Sequence, residues 1–229
     1  MSTLTQLEQR LQYNLIDAGG LIWNDNELDE ALKQALDQYN YVNPLQKETV
    51  ITLPGDSHEI ALDSLTNLIN VVDVWWPYDS DASQETWPPN RVRGFRLYWD
   101  DARPVMVLDI KEGDQPQTDD EMRIWYVARH TIQDLDSATI TTIRGDHESL
   151  ILLGASGHAA MYRAVDLVET SGIDLYQVGM LATWGRARLR EFNAELAKVQ
   201  RSSARSGRPW GSGWQMDKWD AEHRNATHE

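Results

Sequence analysis

The chain contains no cysteine, so disulfides, thiolate nucleophiles and cysteine-ligated zinc are excluded from the start. It also has no apolar run approaching the roughly 18 residues of a membrane span. Its opening stretch, MSTLTQLEQRLQYN, has neither the basic start nor the apolar core of a secretory leader. A soluble chain made without export is expected. Lysine is scarce. Five Lys (Lys33, Lys47, Lys111, Lys198 and Lys218) stand beside 16 Arg, 22 Asp and 14 Glu, giving a net charge of −15. That excess of acid argues against a protein that works by coating phosphate backbones. Heat-adapted surfaces favour Lys and Glu together, which is not the bias here. Hydrated carboxylates, short Asp and planar Arg instead suit concentrated salt, where screening removes the self-repulsion of so many acids.

What is present is a chain of 229 residues, 41% hydrophobic and 25% charged, enough for one large domain or two small ones. Leu4, Leu7, Leu11 and Leu15 repeat at helical spacing, with Thr5 and Glu8 spaced as a capping box. The chain breaks at Asp17-Ala-Gly-Gly20. A second helix opens at Asn24, with Glu27 placed to reach back to the cap and an apolar face of Leu28, Ala31, Leu32, Ala35, Leu36 and Tyr39. From Thr49 the period becomes strand-like. Thr49–Leu53, His58–Leu62, Leu68–Trp76, Val92–Trp99, Pro104–Asp109 and Glu121–Ala128 are short, rich in β-branched and aromatic residues and separated by turn formers. They predict an antiparallel sheet or small barrel in which sequential strands pair with each other, without βαβ crossovers.

Helices return after Asp134. Asp146 is the expected N-cap of a helix carrying Leu150, Leu153, Gly154, Gly157, Met161 and Val165, whose Gly154, Ala155, Gly157 and Ala160 would let a neighbour approach closely. A last helix is expected over 175–199. The predicted class is therefore α+β: a helical bundle of two N-terminal helices (1–46) and two C-terminal helices (134–200), with an inserted antiparallel β domain (47–133) and an extended tail (201–229).

Catalytic templates fail on spacing. Asp146, His147, Glu148 and His158 are the densest ionisable cluster, but His147 and His158 are eleven residues apart, about 16 Å along a helix, too far to share an ion. Gly154-Ala-Ser156-Gly157 is not a nucleophile elbow and falls inside a predicted helix. The acidic runs Asp100-Asp101 and Asp119-Asp120-Glu121 fit solvated turns. No enzyme, no metal and no cofactor are expected. The tail differs from everything before it. Residues 196–229 carry six bases and four acids, a net +2 that leaves −17 on the rest, and Leu196–Met216 holds four bases and no acid. Trp210, Trp214 and Trp219 lie there beside Arg201, Arg205 and Arg208, the residue types that most often anchor interfaces.

In their order, Trp23-Asn-Asp-Asn-Glu27-Leu-Asp-Glu-Ala-Leu-Lys-Gln-Ala-Leu36, Asp146-His-Glu-Ser-Leu-Ile-Leu-Leu-Gly154-Ala-Ser-Gly-His-Ala-Ala160 and Trp184-Gly-Arg-Ala-Arg-Leu-Arg-Glu-Phe192 resemble the head-to-tail connector (adaptor) proteins of tailed viruses, over roughly residues 4–200. The strand insert is similar to that of the larger members. The resemblance implies a virion protein of the neck between capsid and tail, made in the host cytoplasm, with a salt-adapted archaeal host suggested by the acidity. It implies a ring of about twelve copies that docks on the portal, extends the DNA channel and offers a platform to the next neck or tail protein. It carries the portal contact to Arg201, Arg205, Arg208, Trp210, Trp214 and Trp219. Double-stranded DNA would pass an acidic conduit without specific binding, and no membrane is involved. A tail-completion or stopper ring is the neighbouring alternative. A carbohydrate-binding module stacking sugars on Trp75, Trp76, Trp87 and Trp99 is the alternative of another class.

The charge bias makes a prediction of its own. The chain should need molar salt to fold; full structure and stability by circular dichroism in dilute buffer would remove the salt-adaptation argument.

Overall fold

In a computed structural model, residues 2–17, 19–55, 57–80, 90–111, 115–169 and 175–205 are described. They form four helices and two three-stranded antiparallel sheets, the mixed α+β class that the sequence periods predict. The chain divides into two compact units. A helical unit comprises Thr5–Asn43 and the residues from Asp146 onward, and a sheet unit comprises Met1–Leu4 and Pro44–Gly145.

The helical unit starts with α1 (Leu4–Asn14), which buries Leu7 and Leu11. Thr5 lies inside this helix, so it does not cap it, and Glu8 finds a different partner. Helix α2 (Asp25–Val42) begins with the expected capping box: the Asn24 side chain accepts from the Glu27 N–H (3.0 Å) and Glu27 accepts from the Asn24 N–H (2.9 Å). Such a cap contributes about 1 kcal/mol. Its buried stripe, Leu28, Ala31, Leu32, Ala35, Leu36 and Tyr39, is the one the i, i+3, i+4 pattern gives. Helix α3 (Glu148–Glu169) follows a 3-10 turn at Gly145–His147, which contains Asp146. Helix α4 (Leu175–Arg205) continues past Val199, where its apolar period ends, and there the Arg201 and Ser202 side chains donate to the Ala197 and Val199 carbonyls (3.0 and 2.8 Å).

Helices α3 and α4 approach through glycine. A Cβ on Gly154 would stand 2.8 Å from the Phe192 ring, and one on Gly157 would stand 2.8 Å from Leu189 Cγ and 3.1 Å from its backbone nitrogen. From the other side, a Cβ on Gly185 would meet the Gly157 carbonyl oxygen at 3.1 Å. These pairs fix an antiparallel register in which Gly154, Gly157 and Ala160 lie against Phe192, Leu189 and Gly185.

The sheet unit contains β1 (Leu45–Thr52), β2 (Glu59–Ala61), β3 (Leu68–Tyr78), β4 (Phe95–Asp100), β5 (Arg103–Leu108) and β6 (Glu121–Ala128). Every expected strand is present, but the pairing differs from the expectation. Only β4 and β5 pair as sequential neighbours, turning through Asp101 and Ala102, both at positive φ as a tight hairpin turn requires. One sheet has the order β1-β6-β3 and the other β2-β5-β4. The physical reason is the core. Ile60, Met106 and Leu108 from one sheet and Val71, Val74, Met122, Ile124 and Tyr126 from the other form a single apolar cluster, and a two-layer core is satisfied by strands that alternate between layers. Gly55, at φ +92°, serves the turn before β2; a Cβ there would fall 2.3 Å from Thr118 Oγ1.

Residues 134–145, which the sequence reading places with the later helices, belong to the sheet unit. They contain one 3-10 turn at Leu135–Ser137 and bury Leu135 and Ile143. Thr141 and Thr142 side chains take up backbone N–H groups of Gln133 and Thr131 (2.9 and 2.8 Å), an alternative to a helical ladder that Thr offers readily.

The glycine contacts predict opposite effects for one substitution. Gly157→Ala should lower stability by about 1–3 kcal/mol through overpacking against backbone. Gly179→Ala, with nothing within 4 Å of the new methyl, should raise it by about 1 kcal/mol through helix propensity. Chemical denaturation of the two variants checks this, and equal effects would refute the close-approach argument.

Candidate functional site

The ionisable cluster at the start of α3 is tied into the helical unit by three separate sets of partners. Asn43 Nδ2 donates to the Tyr39 hydroxyl (2.7 Å), and that hydroxyl meets His147 Nδ1 at 2.6 Å. Tyr39 is fully buried, and the other ring nitrogen of His147, Nε2, lies 4.0 Å from Asp146 Oδ2. Glu148, also buried, accepts from Arg10 at 2.7 Å. His158 instead meets Gln38 Nε2 (3.2 Å), and burial lowers its pKa, favouring the neutral ring. The two histidines thus have different partners, and among the described residues no group of three metal-ligating side chains forms. Ser156 is buried and donates to the Leu153 carbonyl (2.8 Å) within its own helix. This geometry is that of a packed, hydrogen-bonded helix start.

Beside it lies a groove of about 580 Å³, lined among others by His147, Leu150, Leu153, Trp184, Arg188 and Lys198. Its cations are matched. Arg188 lies 5.2 Å over the Trp184 ring and pairs with Glu191 at 3.3 Å, and Lys198 pairs with Glu195.

The break at Asp17–Gly20 carries more structure than its sequence suggests. The buried Asp17 carboxylate accepts the backbone N–H groups of Leu21, Ile22 and Trp23 at 3.0, 2.9 and 3.0 Å. Burial pushes this carboxyl up, and the Trp23, Ile22 and Leu21 donors outweigh it and hold its pKa below the usual value. Trp23 is buried and its indole N–H reaches the Ala159 carbonyl of α3 at 3.4 Å. The loop is held from inside, yet it places Ile16 and Leu21 in solvent, 90% and 91% exposed. Ile16 has φ +58°, a left-handed conformation that costs a β-branched residue about 1–3 kcal/mol. A second set of exposed apolar side chains occupies the connected end of the α3–α4 hairpin: Val165 and Val168 on α3, and Leu175, Tyr176 and Met180 on α4.

On the outer face of the β1-β6-β3 sheet, Arg123 lies 4.6 Å over Trp125, with Trp75 and Tyr78 at 5.6 and 5.5 Å, and pairs with Glu48 at 2.8 Å. The Trp75 and Trp125 rings meet at 4.1 Å between centroids, tilted by 51°. Trp76 instead packs against the core of the sheet unit, its indole N–H on Asp120 (3.3 Å), and Trp99 belongs to the other sheet. The sugar-stacking set is therefore dispersed: Trp75, Trp76 and Trp99 do not form one platform, and Trp87 lies outside the described residues. Of the acidic runs, Asp101, Asp119 and Asp120 are turn residues, with Asp101 and Asp119 at positive φ and Asp120 accepting the Gln117 N–H (2.9 Å), whereas Asp100 ends β4 and Glu121 begins β6. Of the anchors expected in the tail, Arg201 and Arg205 belong to α4, while Arg208, Trp210, Trp214 and Trp219 lie outside the described residues.

Glu8 is the residue that sequence reasoning misassigned most. Burial, the Asp29 carboxylate to which it is hydrogen bonded, and the charge of Asp25 push its pKa up from 4.5 to about 7. Between these values folded Glu8 keeps a proton that the unfolded chain releases. Its contribution to stability is thus fully present below about pH 4.5 and is lost as pH rises through about 7. Glu8→Gln should remove that component, so the melting temperature of the variant should gain on that of the wild type as pH rises across this window; a constant difference would contradict the shared proton. No protein-family model and no curated protein matches the chain.

Proposed function

We propose that the protein is a structural component of the virion of a tailed virus, a head–tail adaptor that assembles as a ring, docks on the portal and extends the DNA channel toward the next neck or tail protein. The observation that carries the proposal is the architecture. A helical unit is interrupted between Asn43 and Asp146 by an antiparallel sheet unit and ends in a 31-residue helix leading into the basic, tryptophan-containing segment. This is the order of elements on which the resemblance to adaptor proteins rests. The histidine-containing cluster supports an assembly role, because Tyr39, Asn43, Gln38 and Arg10 hold its side chains in the packing of the helices.

Charge supports the same reading. The net −17 before residue 196 suits a conduit that DNA must pass without adhering, whereas the +2 remainder suits a contact with a partner of opposite sign. Arg201 and Arg205, at the end of α4, are followed by Arg208, Trp210, Trp214 and Trp219 as the portal contact. A tail-completion or stopper ring is the same class of protein in a different layer, and negative-stain imaging of the portal-bound complex assigns the layer.

Truncation after Arg205 preserves all of α4 and should leave a folded subunit, judged by its circular dichroism, that no longer binds portal in a pull-down. Trp210→Ala combined with Trp214→Ala should weaken binding by about 2 kcal/mol or more. Undiminished capture of the truncated subunit would refute the docking role of the tail.

A further inference from the structure

We infer that copies of this chain join by seating the Asp17-clamped loop of one on the exposed apolar end of α4 of the next, a surface pair that deepens the ring reading above and rests on it. The loop has the attributes of an anchor. Its apolar tips, Ile16 and Leu21, are almost fully exposed, and Tyr13, three residues before Ile16, is exposed as well. The backbone that presents them is fixed by three N–H bonds to the buried Asp17 and by the buried Trp23 on α3. Ile16 is held at a positive φ in the process. The polar clamp buried beneath the loop keeps its apolar side chains in water in one conformation, and it does so against the backbone strain at Ile16. Such preorganisation lowers the ordering cost of docking into an apolar partner site.

The complementary site is in the same unit. Tyr176 and Met180, one helical turn apart on α4, are 73% and 57% exposed, and Leu175, Val165 and Val168 add to that end of the hairpin. The charges beside the two surfaces are opposite. Asp25 and Glu30, both exposed, follow the loop. Residues 175–190 of α4 carry Arg186, Arg188 and Arg190 and no acid. Arg186 and Arg190 are exposed, one turn apart, and in no ion pair among the described residues. An apolar tip beside acids therefore meets an apolar patch beside arginines, and because every copy carries both, the occupant is a second copy of the chain.

Because the chain has no thiol of its own, single cysteines report this contact cleanly. Leu21→Cys and Met180→Cys replace exposed side chains, and each variant is checked for wild-type circular dichroism. Treated with a short bis-maleimide, a mixture of the two should form dimers about tenfold faster than either variant alone, as the effective concentration of a seated pair requires. Adding Arg186→Glu and Arg190→Glu to the Met180→Cys variant should abolish that advantage. A mixture no faster than the separate variants overturns the inference. Sedimentation of the wild-type chain distinguishes that failure from failure of the ring reading. Oligomers without the mixed cross-link leave a ring built on other surfaces, whereas neither oligomers nor cross-link removes free self-assembly as well.

Discussion

The near-contact of the α3 and α4 backbones is the constraint on which the helical unit depends. Three glycines leave no room for a methyl between the helices, so Phe192 and Leu189 lie directly on the α3 backbone and their register is set by shape. With the axes this close, the interface is narrow and buries only one stripe of the long α4. The opposite side of that helix, from Tyr176 and Met180 through Ala187 to Arg190, remains exposed. The same packing positions Trp184 and Arg188 along the groove beside His147. Close packing on one side of α4 and exposed side chains on the other are thus two results of one contact.

Much of the fold was legible because it is written in local periods. The α2 stripe and its Asn24–Glu27 cap follow from spacing alone, and so do the six strands, whose alternation marks Met122, Ile124 and Tyr126 as core and Arg123 and Trp125 as surface. The glycines of α3 also announced a close neighbour. Strand pairing was not legible, since local alternation says which face of β6 is apolar but not that β1 and β3, far apart in sequence, flank it. Nor were Asp17 and Glu8. A carboxylate that gathers three backbone N–H groups and a carboxyl that keeps its proton beside Asp29 are defined by burial and by partners in three dimensions, and their residue types give no hint of either.

The aromatic residues show why composition alone misleads about function. Ten tryptophans suggest a stacking platform, yet the described ones serve different ends: Trp23 secures a loop, Trp76 packs against a core, Trp184 receives an arginine, and Trp75 and Trp125 enclose Arg123. Trp75, the member of the sugar-stacking set on this face, is already in contact with the tilted ring of Trp125 and with the Arg123 guanidinium.

The discontinuity of the helical unit also orders events during synthesis. Helices α1 and α2 leave the ribosome before the sheet unit, and the helix against which α2 packs begins about a hundred residues later, after the whole sheet unit. At 5–20 residues per second that interval is about 5–20 s. During it the Leu28–Leu36 stripe has no native cover, while the sheet unit holds all the strands of its own core. All the strands of the sheet unit are thus synthesised before the cover of α2 is.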